Sequence, residues 1–170
     1  AAIIHNRKLD GKVNNNNYSR GQIILEILNH SNIKDALKHI SIFNRFKYNN
    51  FNLLIANYKK CYLITHDINN KDLIIQQINE GLSIITDKDL NDKNDKKIDF
   101  YYKLFSSLKK PNPSLNKWDI WKKNLTNSNS SKLKNSEKIC FINHQSNYGT
   151  RSSSLIAIPN ITKSNKKLVF

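Results

Sequence analysis

The sequence predicts an α+β protein in which antiparallel sheets are covered by helices on the outside. Three observations lead to this class. The helical patterns come in pairs, the strand patterns come in runs, and two of the strand patterns are separated by a link short enough for a hairpin. The 170 residues suit one domain of ordinary size, and no linker or internal repeat divides them.

The chain opens with one strand and two helices. Residues 1–5 read as a strand that ends at Asn6. After a polar loop, Ser19 and Gln22 have the S-x-x-Q spacing of a capping box and predict a helix start. A second helix is predicted to begin near Asn32. Apolar residues recur every three or four positions: Ile23, Ile24, Ile27 and Leu28 in the first helix, and Ile33, Ala36, Leu37 and Ile40 in the second.

A run of strands follows. Residues 51–58 ("FNLLIANY") and 61–66 ("CYLITH") are apolar and are separated by little more than two lysines, so they predict an antiparallel hairpin. Further strands are predicted at residues 73–78 and 81–86.

The second half repeats the order of helices and then strands. One helix carries Ile98, Tyr101, Phe105 and Leu108 at helical spacing, and the prolines at positions 111 and 113 end it. The next helix carries Leu115, Trp118, Trp121 and Leu125. Residues 126–136 are rich in Asn, Ser and Lys and predict a mobile loop. Closing strands are predicted at residues 138–143, 153–158 and 167–170.

The net charge of +15 raises the question of nucleic-acid binding. The lysines are scattered among asparagines, as in the run "NNNN" at residues 14–17, and a solvated surface explains them better. Neither an Arg cluster, nor an aromatic RNA-binding motif, nor a zinc pattern supports specific nucleic-acid binding. No apolar run reaches the 18 residues or so that a membrane span needs, and no secretory signal opens the chain. We therefore expect a cytoplasmic protein.

Cysteine and histidine do not indicate a metal or cofactor site. Cys61 and Cys140 lie far apart in apolar segments, which is typical of reduced, buried thiols rather than a disulfide. Burial also makes Cys61 a weak candidate nucleophile. The five histidines lack metal-ligand spacing, and the sequence has neither a P-loop nor a GxGxxG motif. The prediction is that the protein uses no metal and no cofactor.

Polar residues at strand ends are the best candidates for a site. Asn6 ends the first strand, where its amide could donate to a developing oxyanion, although a turn asparagine is the simpler explanation if this segment is taken alone. Thr86 and Asp87 end another predicted strand, and Thr150 and Arg151 precede the strand predicted at 153–158. If these three clusters meet at one sheet edge, they would line a pocket. Arg151 would then reach an anionic group of a ligand or pair with an acidic neighbour.

Five segments in this order resemble a known family. They are "HNR", "YSRGQIILEIL", "FNLLIAN", "GLSIITDKDLND" and "YGTRSSSLIAIP". The chain resembles the NRDE family, also called the transport and Golgi organisation family, and is most similar to its alphaproteobacterial members. The resemblance covers nearly the whole chain, and the segments with "SRG" and "GTRSSSLIAIP" are its most specific parts.

The resemblance implies an αββα sandwich similar to the N-terminal-nucleophile hydrolases, which include penicillin V acylase and bile salt hydrolase. In those enzymes a Cys exposed as the first residue is the nucleophile, its own amine is the base, and an Asn at a strand end helps to form the oxyanion hole. Asn6 matches that Asn by its position. Arg151 and the serines at 152–154 lie in the family's C-terminal motif, although many bacterial members have an apolar residue where Arg151 stands.

The chain departs from the family pattern at its beginning. Family members begin Met-Cys and soon carry Asn-Arg-Asp-Glu, and neither element occurs here; the chain contains no Met at all. We therefore expect a single domain, residues 1–170, that is N-terminally truncated and lacks its first strands and its nucleophile.

Two functions follow from the resemblance. The first is a full-length N-terminal-nucleophile hydrolase that acts on amide (C–N) bonds of a small-molecule substrate, with Asn6 and Arg151 in the catalytic site and Thr86, Asp87 and Thr150 binding substrate. The alternative is a non-catalytic protein that binds or carries a hydrophobic ligand or haem. The sequence offers no CxxCH and no clearly placed axial histidine for haem.

Overall fold

The computed structural model describes residues 2–6, 17–70, 72–127 and 131–159. The chain forms two compact units, Ala1–Leu90 and Asn91–Phe170. Each unit combines helices with an antiparallel sheet, so the predicted α+β class with antiparallel sheets is confirmed. The four-layer sandwich and the single domain remain predictions.

The first unit is built on a four-stranded antiparallel sheet. Its strands are β1 (Ala2–Asn6), β2 (Phe51–Ala56), β3 (Cys61–His66) and β4 (Ile74–Ile78), in the spatial order β1-β2-β3-β4. The predicted hairpin is β2–β3, and Asn57 closes its turn. The Asn57 side-chain oxygen accepts from the backbone N–H groups of Lys59 and Lys60, at 2.9 and 2.8 Å.

Two helices, α1 (Gly21–Leu28) and α2 (Ile33–Ile42), supply the other half of the first core. Alternate residues of β2 are buried against them, because side chains along a strand point to opposite faces of the sheet. The buried apolar core of this unit consists of Ile23, Ile27, Ala36, Ile40, Tyr48, Phe51, Leu53, Ile55 and Ile64.

Both helices begin close to the predicted positions, but only one has a hydrogen bond to the side chain of its N-cap residue. Asn32 caps α2, and its side-chain oxygen accepts from the backbone N–H of Asp35 at 2.9 Å. The predicted capping box of α1 is wrong. The helix begins at Gly21, and the Ser19 hydroxyl oxygen accepts from the Gly21 N–H at 3.4 Å instead of forming a reciprocal pair with Gln22.

Residues 81–86 do not form the predicted strand. Gly81 has φ of +128°, a conformation that interrupts an extended ladder. At the other end, the carbonyl oxygen of Thr86 accepts a hydrogen bond from the side chain of Asn52 rather than from a neighbouring strand backbone. The segment therefore crosses the first unit as an irregular connection.

The second unit contains α3 (Lys96–Ser107), α4 (Asp119–Leu125) and a two-stranded sheet of β5 (Ile142–Asn143) and β6 (Tyr148–Gly149). Ile98, Tyr101 and Phe105 of the predicted α3 stripe are buried, whereas Leu108 lies beyond the helix as its C-cap. The fourth helix was predicted to include Leu115, and this is wrong. Residues Pro113–Leu115 form a separate 3-10 turn, and Asn116 then adopts a left-handed conformation with φ of +53°.

The closing strands are shorter than predicted. Only Ile142–Asn143 of the predicted strand at 138–143 pairs with another strand, and residues 153–156 run without strand pairing. A tight turn at residues 144–147 follows β5 directly. It brings β6 into antiparallel pairing with β5, and this pairing ends at Gly149. The strand predicted at 167–170 lies outside the described residues.

Within the described part of the chain, no helix combines the length and the hydropathy that crossing a membrane requires.

Candidate functional site

Asn6 lies at the end of β1, where the sequence predicted it. In the sheet register it pairs with Phe51, and Phe51 pairs with His66. The three residues thus occupy one row across three strands at one end of the first sheet. The strand-end position that the oxyanion prediction requires is present, and the role itself remains a prediction.

The next row of the same sheet contains a buried amide that the sequence reasoning missed. Asn52 is 1% exposed and lies one residue after Phe51. Its side-chain oxygen accepts from the Thr65 hydroxyl at 3.0 Å, and its nitrogen donates to the carbonyl oxygens of Thr86 and Lys88 at 2.9 and 3.0 Å. An amide inside the apolar run "FNLLIA" was the available signal, because a buried Asn requires partners of this kind.

Thr86 is therefore anchored as well as buried. Its hydroxyl oxygen accepts from the backbone N–H of Lys88 at 3.1 Å, which closes a turn around Asp87. Through Asn52, this turn is fixed to the strand row adjacent to that of Asn6. The structure thus brings the main chain of Thr86 close to the sheet end that carries Asn6, while Asp87 is half-buried.

Thr150 and Arg151 lie in the second unit. Thr150 is held by the segment before β5: its N–H donates to the Phe141 carbonyl at 2.9 Å and its hydroxyl donates to the Ile139 carbonyl at 2.8 Å. Arg151 is exposed. The predicted convergence of these residues with those of the first unit remains a prediction.

Position 149, directly before Thr150, has no room for a side chain. A Cβ atom on Gly149 would lie 2.5 Å from the carbonyl oxygen of Phe141, which is inside the contact distance of the two atoms. The close approach of β6 to β5 therefore requires glycine in the "YGTR" segment.

A cavity of about 510 Å³ lies in the second unit, beside α4. Its wall combines apolar side chains with hydroxyl, amide and ammonium groups: Asn116, Trp118, Lys122, Leu125, Thr126, Ser153, Ser154, Leu155 and Ile156. Two serines of the unusual run at 152–154 are among them. The run that failed to form a strand thus forms one wall of the cavity.

The cavity wall includes one buried aromatic side chain and one exposed cation. Trp118 is 6% exposed, whereas Lys122 on the following turns of α4 is exposed. Residues 91–170 hold 16 of the 28 Lys and Arg residues of the chain but five of its 13 Asp and Glu residues. Residues 91–170 therefore carry most of the net positive charge of the chain.

Comparison with models of known protein families shows which family the chain belongs to. The model described as "Transport and Golgi organisation 2" matches residues 1–166. The chain belongs to this family.

The match confirms the resemblance seen in the sequence, and it spans all five predicted site residues of this transport and Golgi organisation family member. No curated protein and no solved structure matches the chain. The chemistry of this family member has to be argued from its own residues.

The two cysteines of this family member are half-buried, although the sequence predicted buried thiols. Both cysteines are free, and burial raises the pKa of the Cys61 thiol, which disfavours the thiolate that a nucleophile needs. Among the residues that the structure describes, His, Cys, Asp and Glu form no group of three or more that could hold a metal ion.

Proposed function

We propose that this protein binds an apolar ligand that carries an acidic group, and that a long-chain fatty acid represents the ligand class. The cavity beside α4 carries the proposal. Its volume of about 510 Å³ falls within the range of small-molecule sites, roughly 300–1,000 Å³. Its wall combines an apolar interior with a few polar groups, which is the usual composition of such sites.

Each part of the wall has a role in this proposal. Trp118, Leu125 and Leu155 offer apolar surface to an acyl chain, at roughly 25 cal/mol for each Å² removed from water. Lys122 offers a positive charge to the carboxylate, and the hydroxyls of Ser153 and Ser154 offer hydrogen bonds. Because Lys122 is exposed, its ion pair contributes selectivity more than affinity, on the order of 0.5–1 kcal/mol.

The same wall favours an acyl chain over haem. Iron in haem is held by imidazole, thiolate, thioether or phenolate ligands. Among the described residues that line the cavity there is no His, Cys, Met or Tyr. Haem would have to bind there without an axial ligand of these types from the wall.

Trp118 provides a direct test. In a Trp121→Phe variant, Trp118 is the single tryptophan, and the emission of this variant would be followed during titration with oleate, methyl oleate and haemin. We expect a saturable change with oleate, and a two- to fivefold weaker response with methyl oleate because the ester lacks the charge. No saturable response to oleate would contradict the proposal, and a haemin Soret shift with no oleate response would favour haem instead.

The second candidate is hydrolysis of an amide bond, and the position of Asn6 favours it. Asn6 is the last residue of β1, as the resemblance to N-terminal-nucleophile hydrolases requires. This candidate requires a Cys nucleophile at the start of the protein, as the resemblance implies. Hydrolysis of acyl amides by a native Met-Cys protein, and its loss on Cys→Ala and Asn6→Ala substitution, would support this candidate. Activity unchanged by both substitutions would exclude it.

A further inference from the structure

Two buried polar side chains, Asn50 and His66, and the half-buried Arg45 lie at one corner of the first unit. Arg45 lies in a short 3-10 helix (Arg45–Lys47), Asn50 immediately precedes β2, and His66 ends β3. The register places Asn50 near His66, because Phe51, the next residue, pairs with His66, and aromatic contacts place Arg45 near His66. The Arg45 guanidinium lies 4.6 Å from the centre of the Phe46 ring, and the ring centres of Phe46 and His66 are 6.3 Å apart.

Four nitrogen atoms of this corner are buried without a hydrogen-bond partner among the described residues. They are Nε of Arg45, Nδ2 of Asn50, and both ring nitrogens of His66. Asn50 is 3% exposed and His66 is 0% exposed. A buried polar group without a partner is destabilising, and most such groups in folded proteins are paired. This concentration in one place needs an explanation.

The orientation of the Asn50 amide is fixed by its other contacts. Its side-chain oxygen accepts from the backbone N–H of Ile68 at 2.9 Å, so the unpaired atom is the nitrogen, a donor. The backbone oxygen of Asn50 accepts from the Arg20 guanidinium at 2.8 Å, which brings a second cation to the same segment. Asn50 therefore presents an unused donor on a segment that Arg20 contacts.

The electrostatics of the corner favour an anion. Arg45 has no carboxylate within ion-pair distance among the described residues. Burial and the charge of Arg45 lower the pKa of His66, while the backbone of Tyr48 and the charge of Asp67 oppose this shift. The unused groups are mainly donors, and an oxygen anion is their complement, whereas a cation is not.

We propose that Arg45, Asn50 and His66 form a binding site for a small oxyanion, a phosphate or carboxylate group. The anion would accept from the Arg45 Nε–H, from the Asn50 amide and from one His66 ring N–H. This site belongs to the first unit and does not depend on the cavity in the second unit.

Imidazole NMR tests the proposal on the whole chain. The His66 ring resonances would be followed during titration with inorganic phosphate, with acetate, and with chloride at equal ionic strength. We expect a saturable shift of the His66 signals and a rise in the His66 pKa with phosphate or acetate, but not with chloride. A phosphate response alone would identify a phosphate site, and an acetate response alone would identify a carboxylate site. Identical weak responses to all three salts, or none, would overturn the proposal.

The variant Asn50→Asp separates binding from folding. It keeps the oxygen that accepts from Ile68 and replaces the unused donor with a negative charge that can pair with Arg45. We expect it to fold and to bind phosphate or acetate at least about tenfold more weakly. His144→Gln, at an exposed histidine, serves as the control and should bind as the unaltered protein does. Unchanged anion binding by Asn50→Asp would also overturn the proposal.

Discussion

The side-chain amide of Asn52 donates to the main-chain oxygen of Thr86 across 2.9 Å, which joins residues 34 positions apart. The same nitrogen reaches the carbonyl of Lys88, and the oxygen of the amide is held by Thr65. One side chain in β2 thus fixes the turn that carries Thr86 and Asp87. The position of this turn depends on a side chain and not on strand pairing.

Asn52→Ala should destabilise the protein by about 2–4 kcal/mol, because it leaves the Thr65 hydroxyl and two carbonyls without their partner in a buried place. Urea unfolding followed by circular dichroism measures the effect. Asn79→Ala, at an exposed asparagine of the same unit, is the control and should lie within about 0.5 kcal/mol of the unaltered protein. Equal effects of the two substitutions would show that the Asn52 network carries no stability.

Gly149→Ala should destabilise the protein by about 1–3 kcal/mol, because the new methyl group would meet the Phe141 carbonyl at 2.5 Å. Gly21→Ala is the matched substitution. Its Cβ would lie at 3.5 Å from the Ser19 hydroxyl, an ordinary contact, and alanine favours the helix that begins there by up to about 1 kcal/mol. Thermal unfolding of both variants checks the pair, and a Gly149→Ala protein as stable as Gly21→Ala would contradict the steric account.

Tyr101→Phe should weaken the packing of the segment before β5 against α3. The Tyr101 hydroxyl oxygen accepts from the backbone N–H of Ile139 at 2.9 Å, and the substitution leaves that N–H without its partner. We expect a loss of about 1–2 kcal/mol and faster hydrogen exchange at the Ile139 amide. Tyr102→Phe is the control on the neighbouring residue, and the same exchange rate in both variants would argue against the contact.

Stability should fall below pH 6.5 because of His66. Burial and the Arg45 charge lower its pKa in the folded state, whereas the unfolded chain titrates near 6.5. The unfolded state therefore binds the proton first, and the stabilising contribution is complete above pH 6.5 and declines below it. The decline is at most about 1.4 kcal/mol for each pH unit and stops below the folded-state pKa.

Urea unfolding between pH 7.5 and 5.5, in a buffer without phosphate or carboxylate, measures this dependence. His66→Gln should remove most of it, and His144→Gln should leave it unchanged. If His66→Gln retained the full pH dependence, another group would be responsible.

Repeating apolar patterns predicted most of the first unit. The stripe of α2 and the hairpin of β2 and β3 are regular, local features, and the structure contains both. The segment at 81–86 has the composition of a strand, but its conformation is decided by a distant amide, Asn52, that composition cannot reveal. Local sequence patterns do not predict long-range side-chain contacts of this kind.

The candidate site was predicted only in part. The position of Asn6 at a strand end follows from an apolar run that stops, and the run was visible in the sequence. The serines at 153 and 154 were expected in a strand, and they line a cavity instead. The cavity that these serines line depends on where α4 begins. The helix begins at Asp119, later than predicted, because Asn116 adopts a left-handed conformation after the two prolines.

The most direct test of ligand binding beside α4 is to locate a bound acyl chain. The protein would be irradiated with a diazirine analogue of a long-chain fatty acid, with and without excess oleate, and the labelled peptides identified by mass spectrometry. We predict oleate-sensitive labelling within residues 116–126 and 153–156. Labelling that excess oleate does not reduce, or that falls only outside these two segments, would contradict a fatty-acid site in this cavity.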